Sequence, residues 1–138
     1  MFEQRALPHL VHMVEVIAGK GITPIIHCDA NWTPMLGFFR EMPRASCILE
    51  LDSDTDIFRA KEILGDWMCL KGNLAPTLLA FGEPAEVEAE CERLIREVGN
   101  GGGSIVNIAS MQGMIGMNPW LYEGTSMTAA PDYFFHKG

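Results

Sequence analysis

Leu7, Leu10, Val11, Val14 and Ala18 recur at the three- and four-residue spacing of a helix face, and Gly19-Lys20-Gly21 supplies a stop. A first helix is expected over residues 5–19. Ile22 to Cys28 is a short, apolar, β-branched run that turns polar only at its end, the pattern of a buried strand. Asn31 or Thr33 can cap a second helix, where Pro34 suits the first turn and Met35, Leu36, Phe38 and Phe39 supply the buried side, with a stop near Pro43. The same order then repeats. Cys47 to Leu51 reads as a strand, and Asp52-Ser53-Asp54-Thr55 as a turn whose side chains cap a helix facing its core with Ile57, Ala60, Ile63 and Leu64.

Gly65-Asp66 breaks that helix, Met68 to Lys71 forms a third strand, and Gly72-Asn73 opens a loop toward a short helical segment at Ala75 to Ala80. Pro84 starts the most regular helix, with Val87, Cys91, Leu94, Ile95 and Val98 on one side and Glu86, Glu88, Glu90 and Glu92 on the other, Glu92 standing four residues before Arg96. Asn100 to Gly103 ends it, and Ser104 to Ile108 makes a fourth strand. Strands alternating with helices, through connections too long for hairpins, imply parallel pairing and right-handed crossovers. The class is α/β, with about four β/α units: half a barrel or a small open sheet. Residues 111–138 show no period and read as an irregular tail whose aromatic residues cover the sheet.

The chain of 138 residues is 48% hydrophobic and 20% charged, enough for one real core. A net charge of −8 argues against nucleic acid or an anionic membrane as the main partner, since either rewards clustered Lys and Arg. No long apolar span or leader pattern is visible, so a cytoplasmic protein is expected. Cys28, Cys47, Cys69 and Cys91 lack CxxC spacing and read mostly as buried free thiols of a reducing compartment.

Functional groups of parallel α/β folds gather at the carboxyl ends of strands. Period-two alternation puts Ile25, His27 and Asp29 on one side of the first strand, Ile48, Glu50 and Asp52 on one side of the second, and Cys69, Lys71 and Asn73 on one side of the third. The opposite positions, Ile26, Cys28, Leu49, Leu51 and Leu70, are apolar and suit helix packing. Strand ends also turn polar simply on leaving a core, and His27 alone reads as well as a satisfied core histidine. Glu50 lies before its strand ends and needs a partner, for which Lys71 is the obvious candidate. Asp, Glu and His beside a Lys can hold a metal, move a proton or orient a polar ligand, and residue types alone leave these three open.

Three stretches in this order, Thr23-Pro-Ile-Ile-His-Cys-Asp-Ala-Asn-Trp-Thr-Pro34, Cys47 to Asp66 and Met68-Cys-Leu-Lys-Gly-Asn73, resemble the C-terminal half of the uroporphyrinogen decarboxylase superfamily. The similarity runs on through Leu78 to Val87 and the Gly-rich turn before Ile105, covering roughly residues 5–110. That superfamily contains tetrapyrrole decarboxylases and corrinoid-dependent methyltransferases on a TIM-type barrel. The resemblance implies a partial barrel over residues 1–110 followed by the tail at 111–138, with no counterpart here of the N-terminal arginines and aspartate of the decarboxylases.

Around His27 the chain is more similar to the methyltransferases, whose His-x-Cys and a later Cys hold zinc. Here Asp29 takes the first Cys position and Ser110 the later one, which makes the implied site harder and less suited to activating a thiol. Cys28 alternates to the helix-packed side and reads as a buried thiol. The chemistry favoured by the resemblance is metal-assisted methyl transfer between a corrinoid and a small acceptor. His27 and Asp29 would hold zinc or another divalent metal, Glu50 would act as base or orienter, and Asn73 would complete the catalytic rim. Asn31, Asp52, Lys71 and Ser110 are the substrate-binding candidates. The alternatives are decarboxylation of a tetrapyrrole carboxylate, for which only Lys71 supplies evident positive charge, and a non-catalytic assembly module or inactive truncated half-barrel. Unpaired sheet edges would let two copies, or a separate N-terminal half, close the ring.

Overall fold

The computed structural model describes residues 2–99 and 102–103. A short helix α1 (Phe2–Arg5) precedes α2 (Leu7–Ala18), so the expected single helix is interrupted at Ala6. Pro8, in the first turn of α2, has no N–H to continue the preceding ladder. Strand β1 covers Ile25–Cys28 rather than starting at Ile22. Pro24 cannot donate to a neighbouring strand, although its carbonyl accepts from the Ile48 N–H at 3.0 Å.

The segment Thr33–Glu41 is a 3-10 helix, where an α-helix is expected from the sequence, and it buries Leu36 and Phe39. Strand β2 (Ile48–Leu51) leads to α3 (Ile57–Leu64), and β3 (Cys69–Lys71) leads to α4 (Pro76–Phe81) and α5 (Pro84–Glu97). The N-cap of α3 is Asp56, whose side chain accepts from the Arg59 N–H, and not a residue of the 52–55 turn. Glu83 and Glu86 close a capping box at the start of α5.

The strands form one sheet of three in the order β1-β2-β3, and both pairings are parallel. Alternation sends Cys28, Leu49 and Leu51 to the side covered by helices, where they meet Val14 of α2, Leu36 and Phe39 of the 3-10 helix, and Ile57, Ala60 and Leu64 of α3. Burial of these side chains, worth about 1.5–3 kcal/mol apiece, sets the register, because a slip of one residue would move the whole apolar set to the other face. The other face stays open: Ile25 is 52% exposed, and Cys69, expected among the buried thiols, is exposed because it lies on that face.

Helix α5 buries none of its residues fully. Ile95, expected on its core side, is 54% exposed, and Arg96 pairs with its neighbour Glu97 at 3.1 Å rather than with Glu92. The expected fourth strand at 104–108, Ser110 and the tail at 111–138 lie outside the described residues. Among the described residues, no helix is long and apolar enough to cross a membrane.

Candidate functional site

The parallel register places His27 beside Glu50 and Glu50 beside Lys71, one residue from each strand on the face that helices leave uncovered. Registered neighbours in a sheet share a face about 5 Å apart, within reach of side-chain contact. The Lys71 ammonium lies 2.5 Å from Glu50 Oε1, and Glu50 Oε2 lies 3.2 Å from His27 Nδ1. Asp29, just past the end of β1, puts Oδ1 at 2.9 Å from His27 Nε2. Four groups of alternating charge therefore run Asp29, His27, Glu50, Lys71.

Both ring nitrogens of His27 face carboxylates, an arrangement that suits a ring with a proton on each. The hydrogen bond that the ring donates to Asp29, reinforced by the one it donates to Glu50, holds its pKa above the ordinary 6.5. The Lys71 ammonium is the main influence holding the Glu50 carboxyl below its usual value. Exposure falls from Asp29, 83% open to solvent, to Glu50 at 27%, and rises again to 42% at Lys71.

The remaining candidates make contacts of their own. The Asn73 amide donates to the main-chain carbonyls of Asp52 at 3.3 Å and Thr55 at 2.7 Å, tying the end of β3 to the loop after β2. Gly72 makes that approach possible: its φ is +124°, and a Cβ there would lie 2.4 Å from the Leu51 carbonyl oxygen. Asn31 Oδ1 accepts from the Thr33 N–H, and Asp52 Oδ1 accepts from the Ser53 N–H, so both oxygens stabilise local turns.

One rim residue carries no sequence signal for its role. Thr55 is 1% exposed, and its hydroxyl accepts from the Trp32 N–H and donates to the Ala30 carbonyl, each at 2.9 Å. It clamps the loop after β1 to the loop after β2, while the Trp32 indole N–H donates to the Asp29 carbonyl at 2.7 Å. A lone threonine within an Asp/Ser-rich turn reads as surface.

A zinc centre needs a neutral imidazole with a free lone pair and three or four converging ligands. His27 has both nitrogens engaged by carboxylates, and Cys28, 3% exposed, points to the helix side, where burial pushes its thiol up to about 11. Among the described residues, no three His, Cys, Asp or Glu side chains gather as a ligand set. Among the described residues, the donors fall short of the set that a zinc centre takes.

The family described as Uroporphyrinogen decarboxylase (URO-D) matches residues 1–111. A protein named uroporphyrinogen decarboxylase from Chlorobium luteolum is 31% identical over 100 residues, 71% of this chain and 27% of the relative. A namesake from Chlorobium phaeovibrioides is 38% identical over the same shares, and one from Geobacter sulfurreducens is 27% identical over 78% of this chain and 30% of the relative. The chain thus spans less than a third of the length of these relatives. No solved structure matches it. These decarboxylase names favour the decarboxylation alternative and give no support to the methyl-transfer chemistry, the corrinoid or the zinc expected from the His27 region. With most of its length matched, and with strands and helices in the succession the resemblance implied, the chain belongs to the uroporphyrinogen decarboxylase family.

Proposed function

We propose that the chain forms part of a catalyst for decarboxylation of a tetrapyrrole carboxylate, with His27 as proton donor. The observation carrying this reading is the position of the His27 ring, between Asp29 and Glu50 on an open sheet face, in a chain of decarboxylase ancestry. Loss of carbon dioxide breaks a carbon–carbon bond and leaves its electron pair on the substrate. A proton must then reach the carbon, so that carboxylate plus proton gives a C–H bond and carbon dioxide. An imidazolium hydrogen-bonded at both nitrogens is suited to deliver that proton, Glu50 keeps the ring charged and oriented, and Lys71 holds Glu50.

The test is anaerobic incubation with uroporphyrinogen, of the chain alone and mixed with the rest of the barrel from the Chlorobium luteolum relative, followed by chromatography of the oxidised products. Products with fewer carboxyl groups are expected, formed about 100-fold more slowly by His27→Gln. An unchanged carboxyl count in both mixtures, or methylation of a thiol by methylcobalamin, overturns the reading. A second reading, an assembly module, rests on β1, whose outer edge has no strand partner among the described residues and lies beside the exposed Ile22 and Ile25. Two copies, or a separate N-terminal half, would cover that edge. Sedimentation showing a stable monomer that ignores the added barrel half counts against it.

A further inference from the structure

The row of alternating charges is not held with equal firmness along its length. Glu50 is fixed on the central strand, is the most recessed of the four, and is gripped from both sides by Lys71 and His27. Asp29 sits beyond the strand end, is 83% exposed, and reaches the row only through His27 Nε2. An ion pair so open to water is weak, because solvent competes for both partners and the side chain loses rotamer freedom to make it. The charges add a constraint. With Asp29 in place the four groups sum to zero when the ring is protonated; with Asp29 turned into solvent, His27, Glu50 and Lys71 leave one net positive charge. A single carboxylate from outside restores neutrality. Lys71 spends one of its three N–H donors on Glu50, so the far end of the row keeps donor capacity when Asp29 is exchanged.

The geometry points to Asp29 as a built-in competitor: a carboxylate-bearing ligand displaces it from His27 Nε2, while Glu50 stays on Nδ1. This inference rests on the decarboxylase reading for its natural ligand, a side-chain carboxylate of the substrate, but the exchange itself is a binding event that needs no turnover. Asp29 then has a positioning role. It keeps the ring charged and aimed in the free protein and leaves when the substrate arrives.

The test uses the full chain labelled with ¹⁵N at histidine and follows the His27 ring nitrogens by NMR while propane-1,2,3-tricarboxylate is added, with propane-1,2,3-triol as the uncharged control. A saturable shift at Nε2 is expected with the acid and none with the triol. At a pH well below 6.5, where the ring carries its proton with or without Asp29, Asp29→Asn, which keeps the side chain's size and removes the competing charge, is expected to tighten binding about two- to fivefold, and His27→Gln to abolish saturable binding measured by calorimetry. Unchanged or weaker binding by Asp29→Asn overturns the inference, as does a shift confined to Nδ1. Because Asp29 is so exposed, its substitution leaves the core intact, and far-ultraviolet circular dichroism confirms that the variant is folded. Tighter carboxylate binding without any decarboxylation would uphold the exchange and remove the decarboxylase reading. Decarboxylation with indifferent binding by Asp29→Asn would do the reverse.

Discussion

Thr55→Val isolates the clamp that holds the rim together. The substitution keeps the shape of the side chain and removes its hydroxyl, so packing is nearly conserved while the Trp32 N–H and the Ala30 carbonyl each lose a 2.9 Å partner. The half-buried N–H carries most of the cost, about 1–3 kcal/mol for a donor left unpaired. The carbonyl belongs to the exposed Ala30 and can turn to water, adding little. A loss of about 2 kcal/mol is therefore expected. Thr55→Ser keeps the hydroxyl and gives up one methyl, at about 0.8 kcal/mol. Urea unfolding followed by Trp fluorescence measures both variants, and the expected order is wild type, then Ser, then Val, with midpoints shifted and slopes unchanged. If Val equals the wild type, or Ser proves less stable than Val, then packing and not the hydrogen-bonded clamp holds the two loops, and the reasoning fails.

The His27 ring, raised above 6.5 by Asp29 and Glu50, should titrate by NMR with a midpoint above that value, and Asp29→Asn should lower it. Its ion pairs stabilise the fold fully below pH 6.5 and lose that effect as pH rises through the higher folded-state value; a midpoint at or below 6.5 would contradict the geometry. Glu50, shifted the other way, contributes above its ordinary 4.5, and its contribution fades as pH falls through the lower folded-state value, read as an acid shift in the unfolding midpoint. Gly72→Ala forces a Cβ to within 2.4 Å of the Leu51 carbonyl oxygen at a φ of +124°, and should cost about 2 kcal/mol or more in urea unfolding. Calorimetric titration with zinc should show no binding that disappears in His27→Ala, and micromolar binding lost in that variant would restore a metal role.

The helix-packed side of the sheet was legible because it rests on apolar periodicity alone. Leu49, Leu51 and Cys28 alternate with polar neighbours, and Leu36, Phe39, Ile57, Ala60 and Leu64 fall at helical spacing; all are buried. Boundaries were less so, since they depend on individual hydrogen bonds. Pro24 shortens β1 through a missing donor, and Asp56 outcompetes four neighbouring polar residues for the cap because its oxygen alone reaches the Arg59 N–H. The 3-10 winding of residues 33–41 follows from tertiary packing that overrides local spacing, which two helix types share over so short a run.

At the rim, alternation sufficed to group His27, Glu50 and Lys71, because parallel register converts a count of two along each strand into contact across strands. What alternation does not carry is the state of the groups so gathered. A histidine and an aspartate two residues apart satisfy a metal motif and an ion pair equally well on paper. The second carboxylate, from the adjacent strand, engages the other ring nitrogen, a contact that serves either role. That contact depends on register between segments 23 residues apart, so a motif read along one strand misses it. The same limit hid Thr55, whose partners Ala30 and Trp32 come from the loop after a different strand. In this fold, chemical role is fixed across strands while residue type is fixed along them, so swapping Glu50 for Gln should alter the behaviour of His27 more than any substitution among its sequence neighbours except Asp29.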